Sequence, residues 1–536
     1  MKAARRTLGL LALAALSGFF IGVKTLSDVL NSSDDVPRSH RVSSHAPAPL
    51  FEGEFRPVLV DAPLSSSAAS GLAVHQTTPD GRALIAVANF YGTSSLYEVD
   101  ARQRGLAPRQ CQQFATKAAH DWTTLTLLNG RVQFVAAEYD ALATLVYELN
   151  VTRPRPLADW PDCHDTNAKA CESWSRSGEC ERNAGFMHTS CAASCGQCAA
   201  LSGPLVAVQS LPGSGGTSVR HMRLPTESGR LCDVLLVANY KAGAGESVAV
   251  YEWRPTSGDL NAGRVVEHDD GGSGAWQLDG HIDVPGAGEF THCHIPQTSE
   301  HLVVVSTWFA NGSFAATSRV LALEGGASSG PQSFASRLVR RQDLPTLGSH
   351  DVECWQHGGE TYLILGSGRR DDGRRDVPST LYVYDWKHAR RFREVQRLPT
   401  IGAHDFEVFT MPVGRSPGRD RDIDGGGGAL VRDGEELVMA VANGAAWNAS
   451  TSGDGESCVD GVDVYWWDTR ALRFVPWQRL PADGCATFVR AWRAPGARLL
   501  LAVAIERTPA GKYDASVRVH EWTPDREILS PATWVA

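Results

Sequence analysis

The chain has 536 residues, a net charge of −9, 43% hydrophobic residues and 21% charged residues. This composition excludes a disordered chain, because disordered chains carry too little apolar surface to bury. No Lys/Arg stripe offsets the acidic balance, so we expect no nucleic-acid partner.

The first predicted element is an apolar segment at the N-terminus. Residues 1–24 begin with Lys2, Arg5 and Arg6 and continue as an apolar run. A basic start followed by an apolar core predicts a secretory signal peptide. The run is also close to the length that spans a membrane, so a single-pass (type II) signal anchor is the open alternative. Residues 25–50 lack an apolar pattern and are predicted to be a disordered stalk.

The N-terminal segment predicts a protein that is either secreted or a single-pass (type II) membrane protein, located in the lumen of the secretory pathway or at the cell surface. In such a protein, Asn-x-Ser/Thr triplets are acceptors for N-linked glycans on surface loops. The predicted glycosylation sites are Asn31, Asn150, Asn311 and Asn448.

After the stalk, the chain repeats a unit of four predicted strands. One strand is a short apolar run that occurs seven times, for example LIAVANF at Leu84 and LVMAVAN at Leu437. Each run is followed by a strand that usually carries an aromatic residue, as in LYVYDW at Leu381. A four-stranded unit of about 60 residues predicts propeller blades, whose radial repetition protects the sheet edges. We therefore predict an all-β, seven-bladed β-propeller over residues 51–160 and 200–536.

Two segments compete to close the predicted propeller. FRPVLVDA from Phe55 has the pattern of a fourth strand and would complete the last blade from the start of the chain. The C-terminal segment ILSPATWVA competes for the same position. The sequence leaves this choice open.

The second blade is interrupted by a cysteine cluster, which we predict to be a separate domain at residues 161–199. A segment of this size cannot build a sufficient hydrophobic core, so crosslinks should stabilise it. A zinc site would need two paired cysteine motifs, and only the final Cys-x2-Cys fits, so zinc binding is not favoured. The six cysteines are Cys163, Cys171, Cys180, Cys191, Cys195 and Cys198.

This segment resembles the ShK toxin-like (ShKT) domain. The resemblance rests on Asp165, CESWSRSGEC, GFM and the ending CAASCGQC. Toxin members block potassium channels with a lysine followed by an aromatic residue, and Gly185 and Phe186 stand at those positions here. We therefore predict an accessory module and no channel block. Spacing alone leaves every pairing open, but the resemblance implies the disulfides Cys163–Cys198, Cys171–Cys191 and Cys180–Cys195.

Three His-Asp pairs stand at equivalent positions of the repeat. Because buried polar groups need hydrogen-bond partners, we predict that the pairs tie the strands of each blade together. A variant of this hypothesis places the carboxylates around the channel, where they would hold a calcium ion. The residues are His120, Asp121, His350, Asp351, His404 and Asp405.

A second calcium candidate is the Asp-x-Asp-x-Asp-Gly sequence of Asp420, Asp422 and Asp424. It matches the start of a calcium-binding loop. Val431 stands where that loop requires a glutamate. We therefore favour a plain loop between strands and expect no cofactor.

Six cysteines lie outside the cluster, and in an oxidising compartment this even number permits three bridges. Cys458 and Cys485 lie in flanking loops and are the favoured pair. Cys293 and Cys354 occupy equivalent blade positions, and we predict buried thiols there. The remaining two, unassigned, are Cys111 and Cys232.

The blade pattern resembles the epilepsy-associated repeat, also called the EAR or EPTP repeat. The segments that carry the resemblance are GAHDFEVF, LVMAVAN, LYVYDW and FREVQRLPT. It implies an extracellular seven-bladed propeller that binds other proteins. We therefore predict an extracellular or membrane-tethered binding and adhesion protein that recognises a protein or a glycan. The alternative, a secretory-pathway hydrolase or lyase acting at the channel, is less favoured because no known catalytic motif is present.

Overall fold

The structure is a computed structural model that describes most of the repeat region and part of the insertion. Residues 1–24 and 25–50 lie outside the described residues, as do these predicted site residues: Asn31, Asn150, Asn448, Asp420, Asp422, Asp424, Cys163, Cys195 and Cys198. The described residues are 54–57, 64–65, 68–76, 82–100, 108–149, 165, 167–182, 187, 191, 194, 204–242, 245–255, 274–325, 333–412, 435–444, 446–447, 456–458, 461–494, 498–508, 510, 512–513 and 515–523.

The described strands form seven antiparallel four-stranded sheets, which confirms the predicted all-β, seven-bladed propeller. Blades 1 to 3 contain β3–β6 (Ala69–Gln76, Arg82–Asn89, Ser94–Asp100, Arg109–Phe114), β7–β10 (Ala119–Thr126, Val132–Glu138, Ala143–Leu149, Leu205–Pro212) and β11–β14 (Gly216–Pro225, Leu231–Asn239, Val248–Pro255, Gly274–Ile282). Blades 4 and 5 contain β15–β18 (Ala287–Ile295, Glu300–Thr307, Ala315–Leu323, Leu338–Leu347) and β19–β22 (Val352–His357, Glu360–Leu365, Ser379–Asp385, Arg391–Leu398).

Blade 6 contains β23, β24, β27 and β28 (Ala403–Pro412, Glu435–Asn443, Val462–Asp468, Arg473–Leu480), with a small hairpin of β25 and β26 (Ala446–Trp447, Glu456–Ser457). Blade 7 contains β29–β31 (Cys485–Ala494, Arg498–Arg507, Ser516–Thr523) and β1 (Glu54–Pro57), and β2 (Leu64–Ser65) also pairs with β31. The described helices are Ala168–Arg176, Glu179–Arg182 and Phe334–Arg337.

The first strand of each blade lies innermost. These seven strands contact one another in turn around a central channel. The apolar run is the second strand, and in β4 seven consecutive residues from Ala83 to Asn89 are buried. Apolar and polar residues do not alternate along this strand, because neighbouring blades cover both of its faces. The His-Asp pairs therefore lie at the channel, on or just before the innermost strand.

The propeller is closed by the start of the chain. β1 pairs antiparallel with β31, with Glu54 opposite Thr523. It thereby becomes the fourth strand of blade 7 and answers the question that the sequence left open. The competing C-terminal segment lies beyond the described residues.

The insertion leaves blade 2 between its third and fourth strands, because β9 and β10 pair in one sheet although the insertion separates them in sequence. This confirms an insertion in the second blade. The side chain of Asn167 caps the helix Ala168–Arg176 by accepting a hydrogen bond from the Ala170 N–H. The disulfide Cys171–Cys191 matches the pairing that the ShKT resemblance implies. Cys180 is also disulfide-bonded.

Two further disulfides connect consecutive blades. Cys458 bonds Cys485, the pair favoured from the sequence. The prediction of buried thiols at Cys293 and Cys354 was wrong, since these residues form a disulfide. Their equivalent positions bring them together on the adjacent inner strands β15 and β19, with Cα atoms 5.7 Å apart. Free thiols are found at Cys111 and Cys232.

The inner edges of consecutive blades are joined by buried carboxylates. Asp351 of blade 5 accepts a hydrogen bond from the Phe406 N–H of blade 6, at 2.7 Å. Asp405 of blade 6 accepts one from the Val489 N–H of blade 7, also at 2.7 Å. Asp121 bonds the Val219 N–H of blade 3 in the same way, at 3.2 Å. The prediction of bonds within each blade was therefore wrong, because on an innermost strand the nearest backbone that these side chains reach belongs to the next blade.

The outer edges are joined by glutamine side chains. Gln396 of blade 5 donates to the Phe474 carbonyl at 2.7 Å and accepts from the Phe474 N–H at 2.9 Å. Gln342 makes the same two bonds with Phe392. The same contact joins Gln112 to Leu205, and Gln209 to Trp276. Each amide thereby satisfies both backbone groups of one residue in the neighbouring blade.

No helix among the described residues is apolar and long enough to cross a bilayer. The predicted signal peptide or signal anchor at residues 1–24 lies outside them.

Candidate functional site

Four aromatic residues directly follow the second strands of blades 1 to 4. The N–H of each donates to a carbonyl just before the first strand of its own blade, so the four positions are equivalent. Ring centroids lie 6.0 Å apart between Phe90 and Tyr139, and again between Tyr139 and Tyr240. With Trp308 of blade 4, these half-buried side chains gather at one mouth of the channel.

In blades 5 and 6 the equivalent positions hold Gly368 and Gly444, whose N–H groups make the same bond. Imidazoles occupy the space instead: the His350 ring stacks on Trp308 with centroids 3.6 Å apart, and on His404 at 3.8 Å. A Cβ on Gly368 would lie 2.9 Å from Trp308, and one on Gly444 would lie 3.1 Å from His404. Glycine is therefore needed where an imidazole replaces the aromatic residue.

Phe488 completes the arrangement from blade 7. Each blade thus contributes at least one ring, and blade 2 adds the imidazole of His120. We call the following set, one ring from each blade, the mouth ring: Phe90, Tyr139, Tyr240, Trp308, His350, His404 and Phe488.

The mouth ring surrounds a cavity of about 280 Å³. The rest of its lining comes from His120, Thr217, Ala287, Gly288 and Glu289. Small-molecule sites usually begin at about 300 Å³. The cavity therefore fits one side chain or one sugar ring but no long oligosaccharide.

The imidazoles at the mouth are uncharged at neutral pH. Burial lowers the pKa of His120, and it lowers the pKa of His404 to about 3. Burial and then the neighbouring His404 hold the pKa of His350 well below its usual value. His120 Nδ1 lies 2.8 Å from the Thr217 carbonyl oxygen and donates to it. The ring therefore presents π faces and neutral nitrogens to a ligand.

Eight ionisable side chains lie below the mouth ring, and we call them the inner charge cluster. Arg490 is 2.8 Å from Asp405 and 3.6 Å from Glu407. Arg220 reaches Glu353 of blade 5 at 2.9 Å. Six carboxyl groups thus share two guanidinium groups. The members are Asp121, Arg220, Glu289, Asp351, Glu353, Asp405, Glu407 and Arg490.

Burial in this cluster favours protonated carboxyl groups. It raises the pKa of Asp121 to about 6 and of Asp405 to about 7, although Arg490 opposes both shifts. Burial raises the pKa of Glu289 and Glu407 to about 8. Glu289 is the cluster member that also lines the cavity, where its Oε2 accepts a hydrogen bond from the Ser218 hydroxyl at 2.6 Å. A neutral carboxyl group at this position can donate a proton to a bound ligand.

The histidines and the aspartates of the three predicted His-Asp pairs lie in different parts of the channel. His120, His350 and His404 converge at the cavity, whereas their aspartates join blades beneath it. Within the described part of the chain, no three His, Cys, Asp or Glu side chains are placed to hold a metal ion. Asn311, the one predicted glycosylation site among the described residues, is exposed in a turn after Trp308.

The sequence reasoning missed the mouth ring and the interblade glutamines. Both are visible in the repeat, since the positions equivalent to Phe90 hold Phe, Tyr, Tyr, Trp, Gly and Gly in blades 1 to 6. A glutamine likewise recurs in the fourth strands, as in FREVQRL. Alignment of the blades on these positions would have identified both sets.

Comparison with known proteins supports the insertion most directly. Residues 162–198 match the family model described as ShK domain-like. The insertion is an ShK domain-like segment. A thrombospondin-type laminin G domain and EAR repeat-containing protein of Mus musculus is 30% identical over 80 residues, which is 15% of this chain and 12% of that relative. Both findings fit the ShKT and EAR resemblances seen in the sequence.

Solved structures with a similar arrangement include a 6-phosphogluconolactonase-like protein of Bacteroides fragilis, described as putative. It is 11% identical with a TM-score of 0.41, and the match covers 80% of this chain and 90% of that one. Sqt1 of Saccharomyces cerevisiae is 8% identical with a TM-score of 0.40, over 88% of this chain and 100% of that one.

Proposed function

We propose that this chain is an extracellular or membrane-tethered binding and adhesion protein whose propeller takes up a group of a partner protein or a glycan at the mouth ring. The ShK domain-like segment serves as an accessory module. The observation that carries the proposal is the cavity of about 280 Å³ enclosed by one ring from each of seven blades. Aromatic side chains around a desolvated pocket supply much of the binding energy in interfaces and sugar sites.

The surroundings of the cavity support a binding role. Tyr91 and Tyr513, 44% and 38% exposed, meet edge to face with ring centroids 4.8 Å apart next to Phe90. Leu142, 81% exposed, follows Tyr139 in the adjacent blade. Exposed apolar side chains beside a pocket are typical of a contact surface for a partner. A partner would cover this rim while one of its groups enters the cavity.

The disulfides support an extracellular location. Bridges persist in oxidising compartments and are rare in the cytosol. Three lie in the described part of the chain, as Cys171–Cys191, Cys293–Cys354 and Cys458–Cys485. The EAR repeat in the name of the mouse relative fits the same proposal.

Binding at the mouth is tested with full-length protein, an array of extracellular proteins and a glycan array. The double variant Tyr139→Ser/Tyr240→Ser should lose at least tenfold in affinity for any ligand that the natural protein retains. Leu472→Ser, at a 59% exposed apolar residue that does not line the cavity, is the matched control and should bind normally. Binding that survives the double variant, or no binding at all, contradicts the proposal.

A second candidate function is a hydrolase or lyase that uses Glu289 as general acid. The supporting observation is its carboxyl group, which lines the cavity and whose pKa burial raises to about 8. Raised carboxyl pKa values at a pocket are typical of acid catalysts. Turnover of ester or glycoside substrates that disappears in Glu289→Gln, with ligand binding retained, would favour the enzyme over the binding protein.

A further inference from the structure

The aromatic walls of the cavity and the carboxyl groups at its floor both favour a positively charged ligand. The faces of aromatic rings are electron-rich and attract cations. Below them, the inner charge cluster holds six carboxyl groups against two guanidinium groups, and a carboxyl group that burial keeps protonated can ionise when a cation approaches. Glu289 brings one of these carboxyl groups to the cavity itself.

We propose that the group bound at the mouth ring is a cation, namely the ammonium or guanidinium group of a lysine or arginine side chain on a partner protein. This inference rests on the proposed binding function and names its ligand chemistry. A sugar ring would also find aromatic faces here, but it carries no charge that would favour ionisation of the carboxyl groups below.

Two residues of the mouth ring already have a cation of this chain against a ring face. The Lys241 ammonium is 3.9 Å from the centroid of Tyr139 and also bonds Asp140 at 2.6 Å. The Arg490 guanidinium is 5.1 Å from the centroid of Phe488. Ring faces at this mouth therefore accept both kinds of cation that the proposal places there.

The imidazoles do not oppose a cation. His120, His350 and His404 all have lowered pKa values, so they are neutral at physiological pH. The size of the cavity fits as well, because it accepts one side chain. An arginine or lysine side chain would lie between the π faces with its charge directed toward Glu289.

A cation beside Glu289 also changes its protonation. Burial keeps this carboxyl group neutral at pH 7, and an approaching positive charge favours its ionised form. Cation binding therefore releases a proton and strengthens as the pH rises from 6 to 8. A neutral ligand has no such dependence from this group. The groups that face Glu289 are the Ser218 hydroxyl, Asp121, Asp351, Asp405, Arg220 and Arg490.

The test measures binding of blocked amino-acid amides to full-length protein by calorimetry and saturation-transfer NMR. N-acetyl-arginine methylamide is compared with N-acetyl-citrulline methylamide, its neutral counterpart, and the lysine amide with the norleucine amide. We expect each cationic probe to bind at least fivefold more tightly than its neutral partner. The arginine probe should also release protons between pH 6 and pH 8.

Two variants locate the effect. Tyr240→Leu keeps an apolar side chain but removes a ring face, and should weaken arginine binding at least fivefold with little change for norleucine. Glu289→Gln should abolish proton release. Leu142→Ala lies on the rim and serves as the control that retains the difference between charged and neutral probes.

The outcomes separate this inference from the proposed function. Equal affinities within each pair of probes, or binding of methyl glycosides without binding of cationic amides, overturn the cation while leaving the mouth as a binding site. A second outcome also overturns only the cation inference. In it, none of the probes binds, but the natural protein retains a partner that Tyr139→Ser/Tyr240→Ser does not bind. If the double variant has no effect on any ligand, the proposed function itself fails.

Discussion

The inner and outer edges of the blades are joined by different chemistry. At the outer edge, each glutamine donates one hydrogen bond and accepts another, as Gln396 does with Phe474. At the inner edge, a carboxylate such as Asp405 accepts the N–H of Val489 and lies in contact with the guanidinium of Arg490. The outer contacts are neutral and complete in themselves, whereas the inner contacts depend on charge.

This difference decides which edge of the blades can respond to a ligand. A side-chain amide does not titrate in the physiological pH range, so the outer contacts do not change their charge with pH. In the inner charge cluster, burial raises the pKa of Asp121 to about 6, of Asp405 to about 7 and of Glu289 and Glu407 to about 8, within reach of a change in pH or a bound cation. Both edges thus join the blades, but only the contacts at the channel can be altered by pH or by a nearby charge.

The largest expected effect comes from removal of a carboxylate at the inner edge. Asp405→Ala removes the nearer ion-pair partner of the buried Arg490, which keeps Glu407 at 3.6 Å and the Val489 carbonyl at 2.7 Å, and should cost about 3–5 kcal/mol, because a poorly compensated buried charge is strongly unfavourable. The measurement is urea unfolding followed by tryptophan fluorescence.

The control for this prediction is Asp121→Ala. Asp121 bonds the Val219 N–H, and no direct guanidinium contact to it is seen among the described residues. Its loss should cost about 1–3 kcal/mol, the range for an unsatisfied buried donor. Equal losses for the two variants would show that the contact with Arg490 does not contribute.

A smaller effect is expected at the outer edge. Gln396→Leu leaves the N–H and the carbonyl of Phe474 without their partner and should cost about 2 kcal/mol. Val395→Thr, at the adjacent exposed residue, is the control and should stay within about 0.5 kcal/mol. If Gln396→Leu is as stable as its control, the glutamine contact is only a consequence of blade packing.

The smallest effect is a pH dependence that belongs to the inner edge alone. Burial raises the pKa of Glu289 and Glu407 to about 8, so the folded state holds protons that the unfolded state has lost above pH 5. Stability should therefore fall by about 1 kcal/mol or more between pH 6.5 and pH 8.5. The histidines with lowered pKa act in the opposite direction, but only below pH 6.5, where the unfolded state gains protons.

Two variants assign this pH dependence. Glu407→Gln removes one titrating group and should flatten the profile between pH 6.5 and pH 8.5. Gln396→Leu should lower the whole profile and keep its slope. A rise in stability over this range in the natural protein would show that the carboxyl groups remain ionised in the folded state.

The repeat allowed prediction of the blades because it carries its information locally. Seven apolar runs such as Leu437–Asn443 are buried on both faces, and this alone requires a neighbour on each side. The ShK domain-like insertion was equally local, since its cysteines and Asp165 form one compact signature. Closure by β1 could not be decided in this way, because two terminal segments had the same pattern.

The partners of the repeated polar residues were not predictable from one blade. Asp351 and Asp405 were recognised as equivalent, but their hydrogen bonds reach the following blade. The same limit explains the error at Cys293 and Cys354, whose equivalence places them side by side on neighbouring inner strands. Residues at equivalent positions of the repeat lie close together in space only when the blades are arranged around the propeller axis.

The sequence by itself determined the all-β repeat, the number of blades and the identity of the insertion, because each depends on residues that are close along the chain. Only the tertiary structure decided which end of the chain closes the propeller, which blade each aspartate and glutamine reaches, and that seven rings from seven blades enclose one cavity. These features depend on radial assembly, which brings together residues that the sequence separates by a whole blade.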